Sequence, residues 1–181
     1  LDQYKQLIQK SSLSTSAKMA KMADRKSAQI AVKVNSYGRR RTKTGKDMIS
    51  INASDSYGNV DAVAFGESAA EFAQILSGET AVVLMGKVSN KDDRVSIFVD
   101  SIIPLTEWVA RIAKKMTLEI RDHSVLADVK KVLDTLPPGN TRVELNLHNG
   151  KVVKISLPNS IELLPSTAAD LGAFGVKVDI E

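Results

Sequence analysis

The chain of 181 residues contains no cysteine. Disulfides, thiolate metal sites and cysteine nucleophiles are therefore excluded together. Histidine is nearly as scarce. The two present, His123 and His148, are far apart and each stands beside a turn, so both read as surface residues rather than bases or ligands. The adjacent carboxylates Asp92 and Asp93 sit in a loop next to Arg94. On extended chain such neighbours point different ways and read as turn residues, not metal ligands. There is no Walker-type phosphate loop and no HExxH stretch, so neither catalytic nor metal-binding residues are assigned. No apolar run approaches the roughly 20 residues of a membrane-spanning helix, and no membrane partner is expected. The opening "LDQYKQLIQK" lacks the apolar segment of a secretory signal. Together with the missing cysteine, this predicts a cytoplasmic location. Aromatic residues make up only 4% of the chain.

What is present is an uneven distribution of charge. The net charge is only +4, but "GRRRTKTGK", residues 38–46, packs Arg39, Arg40, Arg41, Lys43 and Lys46 together with no acid among them. Such a knuckle reads either as a solvated hairpin tip that discourages edge pairing or as a place to hold a polyanion.

The pattern around the knuckle favours the second reading. Residues 1–27 read as a helical linker: Tyr4, Leu7 and Ile8 recur at helical spacing, and Ser16 is placed to cap a short helix through "AKMAKMAD". From Ala28 the period changes to two. "AQIAVKV", "DMISINAS" and "NVDAVAF" alternate as strands. A helix follows in "GESAAEFAQILSGE", with Phe72 on its apolar face, and then the strands "TAVVLMGKV" and "RVSIFVDSI". Five short strands with a helix between the third and fourth predict a five-stranded OB-fold barrel over 28–103, whose rim loops 1–2 and 4–5 border the ligand face. Those loops fall at 38–46 and 89–93.

Residues 104–115 read as a connector. Beyond it, "MTLEIRD", "SVLADVKKVLDTL", "RVELNLH", "KVVKISL", "PSTAADLGAF" and "GVKVDI" predict a small βαββαβ domain over 116–181. "PPGN" ends its first helix, and Asn149-Gly150 makes a hairpin. The fold class is mainly β plus α+β, with a short helical N-terminal segment.

An OB-fold with a basic rim predicts contact with single-stranded nucleic acid, phosphates held by cations and bases stacked on aromatic rings. The candidate residues are Lys33, Tyr37, Arg39, Arg40, Arg41, Lys43, Lys46, Tyr57, Phe65, Lys87 and Lys91. Phe65 and Phe98 lie opposite their strands' main apolar sets, a position that fits either an exposed ring or a second buried layer. With so few aromatics, binding is expected to be mainly electrostatic and sequence-tolerant.

The stretches "LDQY", "RRRTKTGKDMISINASDSYGNVDAVAFGE" and "DRVSIFVDSIIPL" resemble the alpha subunits of bacterial replicative DNA polymerase III over the stretch that precedes their OB domain and over the OB domain itself. The βαββαβ unit is similar to the C-terminal domain of proteobacterial members. The resemblance implies a non-catalytic C-terminal piece of a longer polymerase, in keeping with a chain that begins at Leu1. The nucleotidyl-transfer site and its Mg2+ would lie upstream, and this piece alone would need no cofactor and be inactive as an enzyme. It also implies single-stranded template DNA, the clamp-loader tau subunit and other holoenzyme subunits as partners. For docking tau, the candidates are Leu163, Leu164, Asp170, Phe174, Lys177 and Asp179, with Leu171 and Val176 expected in the core. Two readings stay open beside it: a tRNA-binding OB module of an aminoacyl-tRNA synthetase, and a free-standing single-stranded DNA-binding protein.

Overall fold

The computed structural model describes residue 1, residues 4–91 and residues 94–181; the side chains of residues 6, 90, 91, 94 and 95 lie outside that description. The chain divides into two compact units, one of residues 8–105 and one of residues 106–181 joined by residues 4–7.

Two short helices, α1 (Lys5–Lys10) and α2 (Ser16–Met19), precede the first sheet. Thr15 caps α2, its hydroxyl accepting from the Lys18 N–H. Ser16 is thereby the first helical residue and not the expected cap. It turns to Asp55 instead: its N–H and hydroxyl donate to the two carboxylate oxygens at 2.7 and 2.6 Å. Helix α2 stops after four residues, and Met19 is fully buried against the barrel.

Strands β1 (Ser27–Arg41), β2 (Asp47–Ser54), β3 (Asn59–Phe65), β4 (Ala81–Lys91) and β5 (Arg94–Pro104) close a barrel in the order β1-β2-β3-β5-β4, with helix α3 (Ser68–Gly78) between β3 and β4. This is the OB-fold arrangement. Period-two alternation fills it. Ile30 and Val32 of β1, Ile49 and Ile51 of β2, Val60 and Ala62 of β3, Val82 and Leu84 of β4 and Ile97 of β5 all face inward. Ala69, Phe72 and Leu76 of α3 bury their side chains in the same core. Burying one such large aliphatic side chain contributes about 1.5–3 kcal/mol.

Strand β1 is longer than its sequence pattern indicates, and it serves two neighbours. Residues 27–33 pair with β4 and residues 33–41 with β2, with a register shift between Val34 and Ser36. Arg39, Arg40 and Arg41 are therefore strand residues opposite Ile49, Met48 and Asp47, and not part of a loop. Only residues 42–46 turn, closed by hydrogen bonds between Thr42 and Lys46 and between Gly45 and Thr42.

In the second unit, α4 (Leu105–Ile112) leads to β6 (Lys115–Ile120), a 3-10 turn at 123–125, α5 (Leu126–Thr135), β7 (Pro138–Asn149), β8 (Lys151–Ser156), α6 (Thr167–Gly172) and β9 (Lys177–Ile180). The four strands form one sheet ordered β8-β7-β6-β9. Met116, Leu118 and Ile120 of β6 are buried, as are Val129, Val143, Leu163 and Leu171. The "PPGN" stretch does more than stop α5, because β7 already begins at Pro138. There the Gly139 and Glu162 N–H groups donate to Ser160 and Pro137 carbonyls. That backbone approach is open only to glycine, since a Cβ at 139 would lie 2.4 Å from the Glu162 nitrogen.

The barrel has a similar constraint where β4 crosses β5. The register slips between Met85 and Gly86, leaving Asp100 as the extra residue of β5. A Cβ at Gly86 would stand 1.9 Å from the Phe98 carbonyl oxygen. Gly86→Ala is expected to destabilise the barrel by about 3 kcal/mol or more, because backbone must shift to admit the methyl group. Urea unfolding followed by circular dichroism measures it; an unchanged midpoint would show that the strand crossing is looser than this geometry.

Candidate nucleic-acid interface

The barrel's outer surface follows from the register. With Ile49, Ile51 and Ala53 in the core, Met48, Ser50 and Asn52 face out, and their partners on β1 and β3 face out with them. One row across the sheet is Arg40–Met48–Phe65. The next is Gly38–Ser50–Val63–Phe98, which continues to Lys87 on β4, and the third is Ser36–Asn52–Asp61–Ser96.

Phe65 and Phe98 meet on this face. Their ring centroids are 6.3 Å apart at an interplanar angle of 33°, and the two residues are 47% and 48% exposed. This is the spacing of an attractive aromatic pair, left open to solvent with Lys87 beside it in the ladder. Next to it, Ser36, Gly38, Arg40, Ser50, Asn52, Asp61 and Val63 contribute to the lining of an open groove of about 360 Å3. A chain of side-chain hydrogen bonds runs over the same surface. Ser54 donates to Asn35 at 3.3 Å, Asn35 to Asn52 at 3.2 Å, and Asn52 to Asp61 at 3.1 Å.

The eleven residues predicted from sequence do not form one site. Arg40, Phe65 and Lys87 share the face just described. Phe98 joins them, although its strand pattern alone leaves its side undecided; pairing of β3 with β5 is what brings it to Phe65. Tyr37, Arg39 and Arg41 are exposed, yet they fall on the opposite pleat, in register with Ile51, Ile49 and Asp47. Lys33 points outward from the other end of β1, opposite Ser54 and Ala81, roughly 23 Å from Arg40 along extended chain. Tyr57 is exposed in the turn at the far end of the β2–β3 hairpin. The N–H groups of Tyr57 and Gly58 donate to Asp55 Oδ1, the same carboxylate that holds Ser16. The Lys91 side chain, Asp92 and Asp93 lie outside the described residues.

The knuckle's charge is also smaller than its composition. Asp47 accepts from Arg39 at 3.2 Å and lies 3.5 Å from Arg41 Nε. Arg40, Lys43 and Lys46 have no ion-pair partner among the described residues, so three cations there are available to a ligand.

In the second unit, Leu163 is buried at 4% exposure and belongs to the core with Leu171 and Val176. It is thereby removed from the surface candidates. Leu164 and Phe174 are 37% and 38% exposed, Asp170 is exposed, and Lys177 pairs with Asp179 at 3.3 Å. His148 is not a free surface histidine. Its Nε2 lies against Glu119, which also accepts from Asn146, and these bonds hold the Glu119 carboxyl below the usual carboxylate range. No group of side chains able to hold a metal ion is present among the described residues.

Residues 28–105 match the model of the tRNA anti-codon family, described as an OB-fold nucleic acid binding domain. Among solved structures, the chain is similar to the protein PriB from Ralstonia solanacearum, at 12% identity and a TM-score of 0.37 over 46% of this chain and 99% of that one. It is also similar to the SSB domain of a Synechococcus protein, at 14% identity and a TM-score of 0.37 over 45% and 97%. A domain of replication protein A from Methanococcus maripaludis gives 18% identity and a TM-score of 0.37 over 48% and 91%. No curated protein sequence matches the chain.

The Asp47 pairing predicts how the barrel meets a polyanion. Asp47→Asn releases Arg39 and Arg41 at little cost in stability, because exposed ion pairs contribute only about 0–1 kcal/mol. The variant is expected to elute from a heparin column at distinctly higher salt than the parent chain. Elution at the same salt would show that the two guanidinium groups do not reach the polyanion even when freed.

Proposed function

We propose that the barrel of residues 28–105 binds single-stranded DNA along the outer face of β1, β2, β3 and β5. The observation that carries this reading is the solvent-open pair Phe65 and Phe98, set between Lys87 and the unpaired Arg40. A stacking platform beside cations is what sequence-tolerant binding of a single strand requires. The bases stack on the rings, and the phosphates pass Arg40, Lys43 and Lys46 on one side and Lys87 on the other. The role of the fold is to hold these rings beside Arg40 and Lys87 on the strands, while the β1–β2 turn adds Lys43 and Lys46.

The same chemistry serves a free-standing single-stranded DNA-binding protein or the non-catalytic C-terminal part of a polymerase III alpha subunit. The second, narrower reading is supported by the sequence resemblance over the barrel. It assigns nucleotidyl transfer and Mg2+ to a longer parent protein and the clamp-loader tau subunit to the second unit. Exposed Leu164 and Phe174 are its apolar contacts there, with Asp170, Lys177 and Asp179 as a charged rim. Capture of purified tau by the full chain, weakened by Phe174→Ala, separates the two readings; no capture leaves the free-standing role.

Four phosphate contacts predict that log K falls against log salt with a slope of about −3 on single-stranded DNA, and that replacing Arg40, Lys43 and Lys46 by alanine flattens it by about 2. Phe65→Ala or Phe98→Ala should instead weaken binding by about 1–3 kcal/mol with the slope unchanged. Titration of a labelled oligonucleotide at several salt concentrations measures both. A slope indifferent to the three cations, or an affinity indifferent to both rings, would remove this face as the binding surface.

A further inference from the structure

The ligand face carries one residue that a purely electrostatic binder would avoid. Asp61 lines the groove together with Arg40, where its charge opposes any phosphate that approaches. It is also held in place: Asn52 donates to Asp61 Oδ1, and Asn35 and Ser54 continue that chain of hydrogen bonds. Asp61 Oδ2 has no partner among the described residues. The residue opposite, Ser96, donates its hydroxyl to the Ser89 carbonyl, so it does not satisfy the carboxylate. Its neighbours in the adjacent row are Val63 and Phe98, an apolar contact and a ring. The small residues Ser36, Gly38 and Ser50 line the groove beside it.

An ionised carboxylate accepts hydrogen bonds and donates none. Beside a stacking surface it is matched to a base edge that presents N–H groups. Guanine offers two adjacent donors, N1–H and the N2 amino group. Cytosine and adenine offer one amino group each. Thymine turns two carbonyl oxygens toward the carboxylate on either side of its single N3–H.

We propose that Asp61 is a specificity-determining residue, which makes this groove prefer guanine over thymine in a single strand. The proposal rests on the reading that the outer face binds single-stranded DNA. It replaces the expectation of indifference to sequence with a defined preference, while the phosphate contacts stay common to all sequences.

The test compares the full chain and Asp61→Asn on two oligonucleotides of about 15 nucleotides, within the range of single-strand site sizes. One is thymine throughout; the other has guanine at every third position, too sparse for guanines to associate. The parent chain should bind the guanine-containing strand about fivefold to tenfold more tightly, the effect of one good paired contact to a base. The carboxamide introduced by Asp61→Asn can donate as well as accept, and it no longer repels phosphate. The variant should therefore bind the thymine strand more tightly and show less than a twofold preference. Thermal melting checks that the variant is folded, and the parent chain's preference is informative by itself. Equal binding of both strands by the parent chain overturns this proposal and leaves the binding function standing. A preference that survives in Asp61→Asn also overturns it. No measurable binding to either strand, at low salt, would overturn the function as well.

Discussion

Strand β1 has to pair with β4 on one side and β2 on the other, and a flat strand cannot do both in a closed barrel. The register shift between Val34 and Ser36 resolves this, with Asn35 as the extra residue. A bulge bends the strand and adds twist. It also moves every later side chain to the other face relative to strict alternation. Before the bulge the even residues Ile30 and Val32 are in the core. After it, the even residues Ser36, Gly38 and Arg40 are outside. One inserted residue therefore decides that Arg40 belongs to the outer face with Phe65 while Arg39 and Arg41 sit on the other pleat. The displaced Asn35 is itself used, since its side chain bridges Ser54 and Asn52 and so reaches the network that holds Asp61.

The same register fixes the electrostatics. Because Arg41 pairs with Asp47 and Arg39 lies on the same side, one carboxylate can serve both guanidinium groups. Alternating assignment of the three arginines splits a run that is uniform in sequence into two that share one carboxylate, and so keep a net charge of about +1, and one that is free. Lys43 and Lys46 escape this because they stand in the turn, where no partner strand presents an acid. A basic run in a hairpin thus has a ligand-available charge set by cross-strand pairing and not by its count of arginines.

The barrel is legible in the sequence because its information is local: period-two alternation, a change to helical spacing at "GESAAEFAQILSGE", and glycine-containing turns. The small sheet of the second unit is announced in the same way, by alternation in "MTLEIRD" and by the Asn149-Gly150 turn, where Gly150 adopts φ +67°. What escapes such reading are the features that depend on partners distant in sequence. The extent of β1 beyond Tyr37 depends on β2, and the glycine in "YGRRR" resembles the start of a loop. Ser16 resembles a helix cap because its true partner, Asp55, is 39 residues away. Leu163 and Leu164 are adjacent and alike, yet one is core and the other surface; only the packing of the second unit distinguishes them. Phe98 is the costliest ambiguity, since its side depends on the parallel pairing of β5 with β3.

The low aromatic content has a different meaning once burial is known. The barrel core is built from isoleucine, valine, leucine and alanine, joined by Met19, with Phe72 the single phenylalanine in it. Phe65 and Phe98 of the barrel are both on its surface, next to each other. Aliphatic side chains at those two positions would cover the sheet equally well and would leave less apolar surface exposed. Rings placed outside a core that does not need them offer flat faces to solvent, and flat faces are what a nucleobase can use. A count of aromatics over the whole chain therefore underestimates the stacking capacity of the face, because the core draws on so few of them.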